Sequence, residues 1–533
     1  MTRRLTLFAL PVAICASCGN TGSTVTPEAG PPGSGGPSVL QFHKNATRDG
    51  VYVDPLLTTA AALRMHKDPT FRASVDGNVY AQPLYVGSGP GGLGVFIVAT
   101  ENDNVYALDT NGTQVWAASL GSAAARADGC GNIQPLGITG TPVVDMTRRA
   151  IYLDAALPGA TTSNMREHSI HALSLDTGKE LPGGWPVKAS TVTGTVGVGP
   201  GTMAFNPRPQ NERGALLIVG STLYVPYGGH GGDCADDSGN LYHGWIIGVP
   251  LDNPGAATGY VTAAKEAGMW SVGGLASDGT SIFATTGNAN GGQNCPNPPP
   301  MSPPPGWLQQ EAILRFQPGP VWSGQTTDYW APDDWPCLDN GDVDVGGSSP
   351  VLVDLPSGSP QHLVVALGKD GKMYVADRTN LGGVGHDVAS LQIASSEIKM
   401  APAAYTTPRG TYVVAYAAGA GTGCAMGSGN LIAVKITPGT PPTLSVAWCA
   451  DEKGQGSPIF TTSDGTRDNL VWAVGADGNN QLRAWDADTG AVVFDGGTGG
   501  DVADGSHHFS TIIEVQGRIF SGADGTLHAY TSR

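Results

Sequence analysis

The sequence predicts an all-β chain: a single eight-bladed β-propeller of four-stranded antiparallel blades, its ring closed by an N-terminal strand that completes the last blade. Three observations lead there. Only 14% of the 533 residues are charged, against about 25% in an average domain, while Gly numbers 78 and Pro 40. That composition suits many short strands joined by turns, and large all-β architectures run long as one unit. The second observation is an internal repeat, an apolar strand, a Gly/Asp/Asn turn and a second strand ending near Asp. The third is that each copy is flanked by further apolar segments, giving four strands per unit, the content of a propeller blade.

The clearest copies are Val95-Phe-Ile-Val-Ala-Thr-Glu-Asn-Asp-Asn-Val-Tyr-Ala-Leu-Asp109, His362-Leu-Val-Val-Ala-Leu-Gly-Lys-Asp-Gly-Lys-Met-Tyr-Val-Ala-Asp377 and the pair Leu470-Val-Trp-Ala-Val474 with Leu482-Arg-Ala-Trp-Asp486. Weaker copies end near Asp176, Val249, Phe316 and Val434, and a last one runs from Arg518 to Tyr530. A preceding strand is visible in Thr141-Pro-Val-Val144, Ser349-Pro-Val-Leu-Val353 and Ser457-Pro-Ile-Phe460, and a following one in Gln114-Val-Trp116 and Ser445-Val-Ala-Trp448. The last copy stops three strands in, and Phe71-Arg-Ala-Ser-Val75 is the expected donor of the missing outer strand.

Residues 1–18 read as an export signal: Arg3 and Arg4 precede a short apolar run, too short to span a bilayer. Cys15-Ala16-Ser17-Cys18 resembles a bacterial lipobox, which implies a lipid anchor at Cys18; ordinary cleavage and release is the alternative. Gly19 rather than Asp after the anchor implies, by resemblance to Gram-negative lipoproteins, the outer membrane or cell surface. Residues 19–38, rich in Gly, Pro, Ser and Thr, read as a flexible tether, and residues 39–533 as the propeller. The net charge of −17 argues against a nucleic-acid partner, because such proteins concentrate Lys and Arg. A monomer is expected.

The mature part holds six Cys, an even number that suits disulfides in an exported protein. Six allow fifteen connectivities. Cys295 with Cys337 and Cys424 with Cys449 each flank strands of one blade and are the expected pairs, leaving Cys130 and Cys234. All six are placed in loops that open on one face, B–C or D–A. No CxxC or CxxCH occurs, so neither a zinc ribbon nor a c-type haem is expected. GxSxG, HExxH and P-loop motifs are also missing, which leaves no support for a hydrolytic nucleophile or nucleotide binding.

The runs Val105-Tyr-Ala-Leu-Asp109 with Trp116, and Leu482-Arg-Ala-Trp-Asp486 with Asp488-Thr-Gly490, resemble the pyrroloquinoline-quinone (PQQ) repeat over roughly residues 40–533. Four segments on the Cys-bearing face are similar to PQQ-dependent alcohol dehydrogenases. Thr286-Gly-Asn288 resembles the family's metal-binding motif, which implies Asn288 as a metal ligand. Trp270 stands where the family has the flat floor for the quinone. Asp339-Asn-Gly-Asp342-Val-Asp344 resembles the family's Asp-x-Asp, implying Asp342 as catalytic base and metal ligand and Asp344 as the extra ligand of a lanthanide. Lys369 stands where a cation would neutralise the reduced quinone. The family's metal-binding Glu falls at Gly228-Gly-His-Gly231, where this chain has His230, assigned to the cofactor; Asp233 is nearby but shifted. The family's adjacent Cys pair and its cytochrome domain are missing.

The resemblance implies a dehydrogenase oxidising an alcohol or sugar with PQQ and Ca²⁺ or a lanthanide on the propeller axis, passing electrons to a separate acceptor. The alternative is a non-catalytic envelope propeller lipoprotein that binds a protein or glycan, because assembly lipoproteins share the repeat. Taken singly, Asp342 and Asp344 also read as a self-capping turn, Asn288 and Lys369 as turn residues, and Trp270 as packing between blades. His230 and His243, and separately His507 and His508, are further candidates that also read as ordinary loop histidines.

Overall fold

The computed structural model describes residues 38–124, 133–158, 166–229, 239–289, 295, 306–419, 424 and 429–533. Their strands form eight sheets that follow one another along the chain. The first is typical: Leu84–Val86, Val95–Ala99, Asn104–Asp109 and Gln114–Ser119 pair antiparallel in sequence order. Burial explains its sequence. The second strand is buried at every residue, because neighbouring sheets cover both its faces, so it reads as an unbroken apolar run. In the fourth strand only Trp116 is buried.

Trp116 joins this sheet to the next. Its indole N–H donates to the Leu175 carbonyl at 3.0 Å, and Trp448 repeats the contact to the Ala487 carbonyl at 2.9 Å. Both rings lie against a glycine of an Asp-Thr-Gly turn. A Cβ on Gly178 would come within 2.5 Å of the Trp116 ring, and its φ of +68° is one that side chains resist. Gly178→Ala is therefore expected to cost on the order of 2–3 kcal/mol, read as a lowered melting temperature.

Three sheets depart from four antiparallel strands. Val51–Val53 adds in parallel to Ile459–Thr462, Thr193–Val196 adds in parallel to Thr258–Val261, and Gly383–Val384 adds in parallel to Tyr329–Ala331. The last sheet does take its fourth strand from the N-terminal region, but the donor is His66–Lys67, paired antiparallel with Thr526–Thr531. Phe71–Val75, the expected donor, forms no strand. Its apolar character serves the seam between last and first sheets: Phe71 packs edge-on against Phe96 at 6.0 Å and Phe520 at 5.5 Å.

Residues 39–54 reach all eight sheets. Val39 pairs with Tyr85 of the first, the Leu40 carbonyl accepts from Val144 N of the second, and the Arg48 guanidinium donates to the Leu216 carbonyl beside the third. The carbonyls of Ala46, Thr47, Asp49 and Gly50 accept from Ser277, Leu352, Ala404 and Phe460, at the first strands of sheets four to seven. The Asp54 carboxylate accepts from Gly517 N in the last sheet at 2.9 Å. Residues of one short segment thus bond to every sheet, and the sheets gather about it. Fully buried Arg48 also donates to the Leu275 carbonyl at 2.7 Å and the Phe42 carbonyl at 3.0 Å, cross-tying the segment to itself and to sheet four.

Candidate functional site

The connections that leave the sheets on one side converge on Trp270, which lies between Thr258–Val261 and Ala276–Ser277. The half-buried indole packs against Phe42, Val272, Met400 and Phe509. The Lys369 ammonium lies 5.5 Å from its ring centroid. Lys369 sits in the turn between His362–Leu367 and Lys372–Asp377, and it bonds Asp344 Oδ2 at 2.6 Å and Asp342 Oδ1 at 2.9 Å. Burial works against its charge, but Asp344 and Asp342 outweigh this and hold it above the usual lysine range.

The two carboxylates differ. Asp344's side chain is 3% exposed and Asp342's is 59%. Asp344 Oδ1 accepts from Asn288 N at 2.6 Å, and its carbonyl accepts from Lys369 N at 2.8 Å. Burial raises its carboxyl above the ordinary range, against the pull of Lys369 and the Asn288 N–H. Gly287 makes the approach possible, since a Cβ there would lie 2.2 Å from Asp344 Oδ1. Five predicted residues, Trp270, Asn288, Asp342, Asp344 and Lys369, are therefore gathered in one place. His230, the sixth, lies outside the described residues, as do Asp233, Cys130 and Cys234.

The helix Trp335–Asn340 leads into Asp342 and Asp344. A disulfide joins Cys337, inside this helix, to Cys295. A second joins Cys424 to Cys449, which lies within the strand Thr443–Ala450 rather than in a loop. Two acids, Asp339 inside this helix and Glu311 just before the strand Ile313–Phe316, are not among the predicted site residues. Asp339 accepts from Ala289 N and is pushed up to about 6 by burial. Glu311, buried at φ +51°, accepts from Val345 N at 2.6 Å and leaves Oε1 without a partner; burial and then Asp344 raise it well above the carboxylate range. A charged residue at the mouth of an apolar strand was the available signal.

The opposite wall comes from the third and last sheets. Arg213 lies 5.8 Å from the Trp270 ring and 5.0 Å from that of Phe509. Next to Phe509, His508 bonds Asp477, while His507 bonds Asp524 at 2.7 Å and stacks on Tyr80 at 4.8 Å. These imidazoles are held by carboxylates. His243 stands apart from them; its Nδ1 pairs with the Thr262 carbonyl at 3.0 Å, and burial lowers its pKa.

A flat aromatic face with a cation on either side fits a planar, acidic conjugated ring such as PQQ. The fit to a metal is poorer. Lys369 already engages both aspartates, and among the described residues no three His, Cys, Asp or Glu side chains converge on a metal position.

No protein family matches the sequence, and neither does any curated protein. Solved structures do share the fold. The quinohemoprotein alcohol dehydrogenase of Comamonas testosteroni is 13% identical, with 93% of this chain and 80% of that one covered at a TM-score of 0.57. A quinohemoprotein alcohol dehydrogenase of Pseudomonas putida is 12% identical over 93% of this chain and 80% of its own, at 0.59. A europium-containing methanol dehydrogenase is 13% identical over 93% and 98%, at 0.56. The chain is all-β and has the β-propeller fold of the PQQ type; at these identities the likeness speaks for the fold alone.

Proposed function

We propose that this chain is an exported quinoprotein-type dehydrogenase, anchored by lipid at Cys18 in a Gram-negative envelope, that oxidises an alcohol or sugar. Its eight sheets act as eight blades, closed into a ring by His66–Lys67 and centred on residues 39–54. The observation that carries the reading is Lys369: one ammonium lies over Trp270 while holding both Asp342 and Asp344. PQQ bound on Trp270 would supply the hydride acceptor. Asp344, buried, fixes Lys369 over the ring. Lys369 stays cationic at neutral pH and offsets negative charge developing above Trp270. Asp342, the exposed member, is the carboxylate that a substrate hydroxyl can reach and that takes its proton. No step is assigned to a metal.

The competing reading is an envelope propeller without cofactor that binds a protein or glycan; the poor fit of the described residues to a metal favours it. Reconstitution separates the two. The mature protein is mixed with PQQ, alone and with Ca²⁺ or La³⁺, and melting temperature and absorbance are followed. Saturation at a hundred times the dissociation constant stabilises by about 2.7 kcal/mol. Trp270→Ala is expected to abolish the shift, whereas Asp342→Asn keeps it and loses alcohol-dependent dye reduction. A wild-type protein with neither shift nor quinone spectrum would sink the dehydrogenase reading.

A further inference from the structure

The 39–54 segment ends on a pair of buried carboxyl groups. Asp54 is 5% exposed, and Glu514, in the strand Ile513–Val515 of the last sheet, is 2% exposed. A single donor serves both: the Gly517 N–H donates to Asp54 Oδ2 at 2.9 Å and to Glu514 Oε1 at 2.9 Å. The two side chains also hydrogen-bond to each other, and burial, then this contact, raises Glu514 well above the carboxylate range. Asp54 is tied further. Its Oδ1 accepts from Leu56 N at 2.7 Å, and its own N–H donates to the Thr462 carbonyl of sheet seven at 2.9 Å. The pair thus joins the segment's end to the last two sheets.

Two ionised carboxylates cannot hydrogen-bond to each other, because both only accept; the contact requires a proton on one of them. The neighbouring titratable groups do not remove that requirement. Lys44, on the same segment, has its ammonium 5.1 Å from the Tyr52 ring centroid. Burial holds Lys44 below the usual lysine range against the pull of Glu514, Asp54 and Asp49, and Glu514 stays raised in its presence. Asp49 is occupied by Asn45 Nδ2 at 2.7 Å, Thr47 Oγ1 at 2.9 Å and Val51 N at 3.1 Å. Tyr52 is fully buried; burial, then Glu514 and Asp49, raises its hydroxyl well above the usual range and keeps it neutral. We infer that Asp54 and Glu514 form a proton-held clasp: one shared proton closes the end of the 39–54 segment against the last sheet, and its loss opens that joint. The clasp is independent of the dehydrogenase reading.

Glu514 is raised in the folded chain, so its contribution is complete below its ordinary value of 4.5 and is lost as pH rises through the folded value. Deuterium exchange of the mature protein reads the joint at residues 50–57 and 513–518. It is followed by mass spectrometry from about pH 5 to about pH 8 and scaled to the unfolded-chain rate at each pH. Wild type is expected to open at least tenfold more often at the upper end than at the lower. Glu514→Gln offers Asp54 an amide N–H and never ionises, so its opening is expected to change less than twofold over the same range. Asp54→Asn removes the other acid and offers Glu514 a donor; its rise is expected to be at least threefold smaller than that of wild type. A wild-type joint whose opening ignores pH overturns the inference, and so does a wild-type-sized rise in Glu514→Gln. Should Glu514→Gln fail to fold, Asp54→Asn decides: a full rise there overturns the inference, and the smaller rise upholds it.

Discussion

Lys369→Met is expected to lower the stability of the ligand-free protein at pH 7 by about 3–5 kcal/mol, the usual result of stripping one partner from a buried ion pair. The pair qualifies, since the Lys369 side chain is 12% exposed and that of Asp344 3%. The variant leaves Asp344 with the Asn288 N–H as its remaining side-chain contact. The pH dependence identifies the cause. Lys369 is held above its ordinary value of 10.5, so its contribution is complete at neutral pH and is lost only as alkaline solution passes its folded value. Asp344 is raised by burial even with lysine present, so its ionisation opposes folding as pH rises. Without Lys369 that opposition grows, and the deficit should narrow as pH falls toward about 4 and the carboxyl takes up a proton. Urea titrations at several pH values measure it. A deficit independent of pH would point to lost packing instead.

The repeat is legible because neighbouring sheets cover the second and third strands, whose central residues are therefore mostly apolar. Val95–Ala99 and Asn104–Asp109 could be found from their residues alone, and Trp116 marked the outer strand through its single buried position. Residues 39–54 were not legible, for a related reason: they bond to a different sheet at almost every step, so no period is imposed on them. Apolar content points to Phe71–Val75 as the outer strand of the last sheet, but that is not where the strand lies. An outer strand needs little burial, which lets His66–Lys67 serve, while the aromatic Phe71 is needed at the seam.

The candidate site divides in the same way. Trp270, Asn288, Asp344 and Lys369 stand in or beside connections that flank apolar strands, where an unusual side chain is conspicuous. Asp342's exposure and Asp344's burial could not be read from an Asp-x-Asp spacing, because they follow from how the connection after Trp335–Asn340 folds against Gly287. Glu311 Oε1, without a hydrogen-bond partner among the described residues, is visible only in the assembled structure.

Removing residues 39–54 is expected to abolish cooperative folding, whereas a chain starting at residue 39 should melt as the mature protein does. The segment makes eight backbone hydrogen bonds to the sheets besides its parallel pairing with Ile459–Thr462. At about 1 kcal/mol each these amount to on the order of 8 kcal/mol, before the burial of Phe42 and Tyr52 is considered. Whole domains are stable by only about 5–15 kcal/mol, so the loss approaches the total. The deletion also takes Phe42 from the cluster on which Trp270 packs and Arg48 from the carbonyls it bridges, so a partly folded remainder should bind no planar ligand. Circular dichroism melts of the two forms test this directly. A chain starting at residue 55 that melted at the wild-type temperature would show that the sheets hold together by side-to-side packing alone. If it fails to fold, this short segment is the hub on which the sheets and the candidate site are built.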